Sequence, residues 1–217
     1  MKGLLIKDLK LIMTQKLLIF IVGGVSCYLL VTGKAEFGMS YMAFILAILV
    51  INTINYDDHD NGMSFLLTFP ISRKIYVIEK YLLGMILIAA AMAAGSVVLI
   101  IVSSAKSVDY APQEWFGAGV GSLLSASVFL SGSLPLQLKY GAEKGRMVMA
   151  TVIICAGVAG YTIQQVVKAA SIDVSAVVEP FLQADAIKVA AAVCILAIGL
   201  LALSYVISVA IMKKKQF

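Results

Sequence analysis

Long runs of apolar residues alternate with short polar connections along the whole chain. A helix that crosses the hydrocarbon core of a bilayer needs about 20 apolar residues, and six runs approach that length. The runs are continuous and do not alternate as the strands of a membrane barrel do, which favours helices. We expect six spans, at Leu17–Thr32, Gly38–Asn55, Tyr81–Ser104, Trp115–Leu136, Met147–Val167 and Ile187–Met212.

The composition agrees with an all-α, polytopic membrane protein. Hydrophobic residues form 61% of the 217 residues and charged residues only 13%, whereas a soluble domain carries about a quarter charged residues. Six spans and their connections use the whole sequence. We therefore predict a single transmembrane domain over residues 1–217, without a nucleotide-binding domain.

The basic residues indicate which side of the membrane each connection faces. With the N-terminus inside, 13 of the 17 basic residues fall in inner segments, while the acidic residues divide evenly between the two sides. Cytoplasmic loops carry the excess of Lys and Arg. We therefore predict both termini in the cytoplasm, as an even number of spans requires. The chain has no basic patch interleaved with aromatic residues, the pattern that would indicate nucleic-acid binding.

Residues 1–16 precede the first span and predict an amphipathic helix. Four apolar side chains share one face of this helix and three polar ones lie opposite: Leu5, Leu9, Ile12 and Met13 against Lys7, Lys10 and Thr14. This pattern is typical of a helix that lies in the membrane interface. A simple basic flank that fixes the topology is the alternative.

The longest inner connection, residues 55–81, contains a second candidate helix. The acidic residues between Asp57 and Asp60 can cap and charge the start of a short helix over Met63–Thr68, which Pro70 would end. Exposed apolar surface on such a helix usually docks on a partner. The apolar side chains in question are Phe65, Leu66 and Phe69.

The acidic stretch allows two other interpretations. As a calcium loop it has Asp57, Asn61 and Gly62 in place, but Thr68 stands where a bidentate Glu is needed. As a transition-metal site it offers His59, the only His in the chain, without a second His or Cys. We prefer a solvated, helix-capping cluster and expect no metal and no bound cofactor on this chain.

Polar content within the spans is uncharged, and no ionisable residue is clearly mid-span. A carrier coupled to protons or sodium would be expected to bury one. The chain also lacks the phosphate loop of ATPases, so we predict that it is not an enzyme by itself. Its polar side chains would make interhelical hydrogen bonds or line a pathway; they include Asn52, Asn55, Tyr161, Gln164 and Gln165.

The two main inner connections carry motifs that resemble one transporter family. Residues 66–82 read LLTFPISRKIYVIEKYL and residues 135–146 read PLQLKYGAEKGR, in which Pro135 predicts a kink or an end of the fourth span. Together with the basic N-terminal helix and the six spans, these loops resemble ABC-2 type permeases, the membrane subunits of ATP-binding-cassette exporters. The small size is similar to that of compact bacterial permeases of phenol-soluble modulin exporters and related peptide systems.

The resemblance implies a homodimeric export pathway in the bacterial plasma membrane, driven by two copies of a separate ABC ATPase that binds ATP and Mg. In the family, the first inner loop is a coupling helix that docks on the ATPase. The resemblance assigns this docking to Met63, Phe65, Leu66, Phe69, Pro70, Arg73 and Lys74. The second loop would add a lesser contact through Lys139, Tyr140, Glu143, Lys144 and Arg146.

A pathway lined with Met, Phe, Gln and Asn suits an amphipathic or lipid-like substrate better than an ion. We expect an amphipathic peptide, such as an antimicrobial peptide, with the polar residues Tyr161, Gln164 and Gln165 near the outer end of the fifth span. A membrane scaffold or sensor subunit that transports nothing is the alternative. Copurification with an ATPase whose turnover responds to the chain would separate the two.

Overall fold

The computed structural model describes residues 2–58, 62–66, 68, 71–106, 112–169 and 186–215. Apart from short turns, these residues are α-helical and none lies in a strand, which confirms the all-α class. The helices are α1 (Lys2–Thr14), α2 (Lys16–Val31), α3 (Ala35–Asp58), α4 (Gly62–Leu66), α5 (Arg73–Lys106), α6 (Pro112–Ala169) and α7 (Ala186–Lys214).

Four helical segments of the described part are long and apolar enough to cross a membrane: Ala35–Asp58, Arg73–Ser104, Trp115–Gly141 and Lys188–Lys214. The pair α1 and α2, bent by 73°, adds a fifth if it forms one broken span. Alone, α2 has 16 residues and reaches about 24 Å, less than a bilayer core of about 30 Å. Helices occupy all six predicted spans, but a crossing by Met147–Val167 stays a prediction.

Small residues let the long helices approach one another. A Cβ added to Gly84 of α5 would lie 2.7 Å from Leu130 Cδ1 of α6, and one added to Gly95 would lie 3.0 Å from Met39 Cγ of α3. Close backbone approach of this kind replaces the hydrophobic drive that is missing inside lipid. The three helices therefore pack directly on each other.

A tight turn joins α2 to α3. Gly33 has φ +83°, and its N–H donates to the Leu30 carbonyl oxygen (3.3 Å) while Lys34 N–H donates to that of Leu29 (3.0 Å). This pair of bonds is a Schellman cap, in which glycine is favoured because its φ is positive. The Ser26 hydroxyl then donates to the Gly38 carbonyl oxygen (2.9 Å) and holds the two helices together.

The ends of several helices meet at one end of the bundle. One buried apolar cluster contains Ile12 of α1, Met63 of α4 and Met212 of α7, while a second, around Leu30 and Leu99, lies away from them. We call the end that holds α1, α4, the last turn of α3, the first turns of α5 and the last turn of α7 the α4 end. The first and the last described helices, α1 and α7, thus meet at this end, while the number of crossings and the side of the membrane stay predictions.

Candidate functional site

Helix α4 lies at the α4 end and presents two different faces. Met63 is 3% exposed and belongs to the core, whereas Phe65 is 67% exposed and Leu66 is half-buried. Thr68 ends the helix, because its N–H and its hydroxyl both donate to the Phe65 carbonyl oxygen, at 3.0 Å and 2.7 Å. A short helix therefore exists where the sequence predicts one, with Met63 as its anchor and Phe65 as its exposed aromatic side chain.

A buried ammonium connects the helices that flank α4. Lys80, in the second turn of α5, is fully buried, and its Nζ donates to Asp57 Oδ2 (2.9 Å), to Thr53 Oγ1 (2.9 Å) and to Asp8 Oδ2. Asp57 and Thr53 belong to the end of α3 and Asp8 to α1. One side chain thus ties α5 to both other helices.

Further groups complete this arrangement. Lys7 Nζ donates to Asp57 Oδ1 and contacts Asp8 Oδ1 at 3.1 Å, and the buried Tyr76 hydroxyl donates to Asp57 Oδ2 at 3.0 Å. Burial lowers the pKa of Lys7, but the hydrogen bond and charge of Asp57 and the charge of Asp8 outweigh it. The net shift is upward, so Lys7 stays charged at neutral pH.

Glu79 lies beside these residues but differs from them in its hydrogen bonding. It is fully buried, and within the described residues neither of its carboxylate oxygens accepts a hydrogen bond. Its Oε2 lies 3.8 Å from Lys80 Nζ, which is already bonded to two other carboxylates. We call Lys7, Asp8, Asp57, Glu79 and Lys80 the ionic cluster; it holds three carboxyl groups and two ammonium groups.

The ionic cluster was not predicted from the sequence. Spans delimited at Asn55 and Tyr81 leave Asp57, Glu79 and Lys80 in a connection, and Lys7 and Asp8 precede the first span, so the sequence presents these charges as indicators of topology and not as one buried group. The available clue was Asp8, which shares a helical face with Leu4 and Ile12 at a spacing of four residues. That face is the buried one, whereas the predicted apolar face included Met13, which is 66% exposed.

Arg73 and Lys74, which the family resemblance assigns to the ATPase contact, lie against the end of α7. Arg73 Nη1 donates to the carbonyl oxygens of Met212 (3.2 Å) and Lys213 (2.9 Å), which are among the last carbonyls of α7 and have no partner inside the helix. Lys74 is exposed beside Lys213 and Lys214. Phe69 and Pro70 of the predicted docking set lie outside the described residues, as do His59 and Asp60.

The second predicted contact loop is a break inside α6. The helix continues through Pro135, which was expected to kink or end it, and its non-helical residue is Gly141 (φ 77°, ψ −173°). A Cβ on Gly141 would lie 2.7 Å from Asp58 Oδ2, so this break adjoins the end of α3. Lys139 Nζ lies 4.9 Å from the Tyr140 ring centre, and both residues are exposed, as is Lys144. The side chains of Glu143 and Arg146 lie outside the described part.

The predicted pathway residues fall in two separate regions. Asn55 is 8% exposed; it accepts a hydrogen bond from Gln137 Nε2 of α6 and donates to Asn52 Oδ1 at 3.5 Å. It therefore joins α3 to α6, the interhelical role that the sequence left open. Tyr161 is 61% exposed on the second part of α6, where its hydroxyl accepts a bond from Gln165 Nε2 (2.8 Å). The side chain of Gln164 is not among those described.

Comparison with known proteins gives one match. A family model described as "ABC-2 family transporter protein" matches residues 3–213. Searches of curated proteins and of solved structures find no match. The family implies a membrane permease that works with an ABC ATPase, and the several apolar helices agree with a multi-pass membrane protein. The chain belongs to the ABC-2 family of transporter proteins.

Proposed function

We propose that this chain is the permease subunit of an ATP-driven ABC exporter in the bacterial plasma membrane. Two copies would form the export pathway, and two copies of a separate ATPase would supply the energy from ATP and Mg. The observation that carries the proposal is α4, which exposes Phe65 while the core and the ionic cluster hold its anchor and its flanks. A fixed helix with one exposed aromatic side chain suits docking in a partner's groove.

The ionic cluster would transmit a movement of α4 to the membrane helices. Asp57 lies shortly before α4, and Tyr76 and Lys80 follow it, so both flanks of α4 share one buried set of hydrogen bonds. Asp8 adds α1 to the same set. Buried pairs resist separation, since breaking one leaves an uncompensated charge. Movement of α4 would therefore carry α1, α3 and α5 together as a rigid body.

For the substrate we propose an amphipathic peptide or a lipid-like molecule. The second part of α6 supports this, because it exposes apolar side chains such as Ile154 and Val158 beside the hydrogen-bonded pair of Tyr161 and Gln165. A surface that mixes apolar area with a few polar groups matches a substrate of the same character. Asn52 and Asn55 are assigned to helix packing in this proposal.

The test compares two aromatic side chains of similar exposure. Phe65→Asp removes the exposed ring of α4, and Phe37→Asp changes Phe37, which is 70% exposed on the first turn of α3, away from the α4 end. The tagged protein is purified from its own membranes, and an ABC ATPase is sought by its phosphate loop and by vanadate-sensitive ATP hydrolysis. We expect Phe65→Asp to lose the ATPase and Phe37→Asp to retain it, with both variants inserted in the membrane.

Equal recovery of the ATPase with the two variants would contradict docking through α4. Recovery of an ATPase whose turnover does not respond to the permease would favour the scaffold or sensor subunit instead. Export of a labelled amphipathic peptide from inverted vesicles, dependent on ATP, would then be the direct assay of transport.

A further inference from the structure

A groove at the α4 end lies between the first turn of α5 and the last turns of α7. It has a volume of about 460 Å³. One wall is apolar and is formed by Tyr205, Val206, Val209 and Ala210 of α7, while three lysines line the same groove: Lys74, Lys213 and Lys214. The groove is therefore divided into an apolar part and a cationic part.

The two helices are held together at the cationic part. Arg73 donates to the carbonyl oxygens of Met212 and Lys213 and so fixes the last turn of α7 beside the start of α5. Lys74 follows Arg73 directly, and Lys213 and Lys214 belong to the bonded turn. The hydrogen bonds from Arg73 to these backbone carbonyls thus bring three lysines of two helices together, and the lysine side chains take no part in them.

Acidic side chains do not neutralise these lysines in the described part of the chain. The ion pairs recorded there involve Lys7, Lys80 and Lys215. Lys74, Lys213 and Lys214 are exposed, and no acidic side chain of the described residues forms an ion pair with them, so this part of the groove carries a positive charge that attracts an anion. The ligand that fits the site must therefore carry negative charge.

The apolar wall shows what else the ligand must carry. Val206, Val209 and Ala210 lie seven, four and three residues before Lys213, so the four residues share one face of α7. This stripe extends about 10 Å from the lysines towards the middle of the helix. Val206 is 65% exposed. An anionic group joined to a chain of apolar carbon atoms matches both parts of the groove.

We propose that this groove binds an anionic phospholipid of the leaflet at the α4 end. Its phosphate and headgroup contact Lys74, Lys213 and Lys214, and one acyl chain lies along Val206, Val209 and Ala210. Basic pockets between transmembrane helices on the cytoplasmic side are suited to such headgroups, and this end is the one predicted to be cytoplasmic. Lys74 then has a lipid contact in place of the ATPase contact that the family resemblance assigns to it.

The test uses native mass spectrometry of the purified, delipidated protein titrated with phosphatidylglycerol or phosphatidylcholine. The site variant is Lys74→Gln with Lys213→Gln and Lys214→Gln. The matched control replaces three exposed lysines elsewhere, Lys10, Lys16 and Lys34, also with Gln. We expect tight binding of phosphatidylglycerol over phosphatidylcholine, weakened by roughly tenfold or more in the site variant and little changed in the control.

A second variant keeps every charge and fills the apolar part. Ala210→Phe should obstruct the acyl chain and lower retention of phosphatidylglycerol, and its melting temperature shows that the protein is folded. Equal weakening by the control lysines, or equal binding of phosphatidylcholine, would overturn the proposal. So would a site variant that binds phosphatidylglycerol normally but loses the ATPase, since its lysines would then serve protein docking.

Discussion

At the α4 end, the single residue Lys80 links three helices. Its Nζ donates to Asp8, Thr53 and Asp57, so each of the three ammonium hydrogens has an acceptor. Glu79, its neighbour in the chain, adjoins the Asp8 carboxyl and has no recorded hydrogen bond from an N–H or ammonium group of the described residues. Substitutions of Lys80 and Glu79, although adjacent in the chain, should therefore change the free energy of unfolding by different amounts.

Lys80→Met keeps the length of the side chain and removes its charge. Asp8 and Asp57 then stay buried with less compensation, and we expect the protein to lose about 3–5 kcal/mol of stability. Glu79→Gln keeps the shape of the side chain and removes a carboxyl that adjoins the Asp8 carboxyl, with no recorded hydrogen bond lost in the described part, so it should leave the stability unchanged or raise it. Thermal unfolding of the purified protein in detergent measures both; an equal loss in the two variants would contradict the roles assigned here.

The sequence predicts some of these residues and misses others for a physical reason. Phe65 and Leu66 could be found because apolar residues stand out in a polar connection. That Met63 faces inward could not, since a five-residue helix has too few turns to show a periodic face. Arg73 reaches carbonyls 139 and 140 residues away, and no local pattern contains that contact.

At the scale of elements, the helices that cross a bilayer can be predicted from the sequence more readily than the positions at which they break. The apolar runs that predict α3, α5 and α7 coincide with those helices, because a crossing of fixed length demands them. In α6 the helix does not end at Pro135, and the non-helical residue is Gly141. Gly141 adopts backbone dihedral angles that are essentially open to glycine alone. In the sequence it is only one of several turn-forming residues.

This break gives a prediction with a control in the same helix. Gly141→Ala places a side chain at φ 77° and a Cβ 2.7 Å from Asp58 Oδ2, so we expect a loss of about 1–3 kcal/mol. Gly132→Ala meets no atom within 4 Å and should be neutral or stabilising by up to about 1 kcal/mol. Melting temperatures of the two variants make the comparison, and equal values would mean that the break does not require glycine.

At the scale of the whole molecule, the bundle carries apolar side chains on its outside. Phe20 of α2 is 79% exposed, Ile101 of α5 58% and Ile195 of α7 71%, which fits contact with lipid. The ionic cluster, Arg73 and the lysines at the end of α7 lie at the α4 end. We predict that this end is the cytoplasmic one.

Labelling of single cysteines tests that orientation and the crossing by the fifth predicted span, Met147–Val167, together. In a background without Cys27, Cys155 and Cys194, a membrane-impermeant maleimide on intact cells should label Lys34→Cys. It should label Lys144→Cys and Lys215→Cys only after the membrane is permeabilised. Labelling of Lys144→Cys from outside would show that the second part of α6 does not begin in the cytoplasm, and the six-span topology would be wrong.

The central claim is that Phe65 of α4 contacts an ABC ATPase. A photoreactive benzoylphenylalanine in place of Phe65 tests this most directly, with the same substitution at Phe37 as its control. Irradiation of the intact membrane should join the permease covalently to a protein with a phosphate loop from position 65 and not from position 37. Adducts with lipid alone from position 65, or ATPase adducts from position 37, would contradict the account.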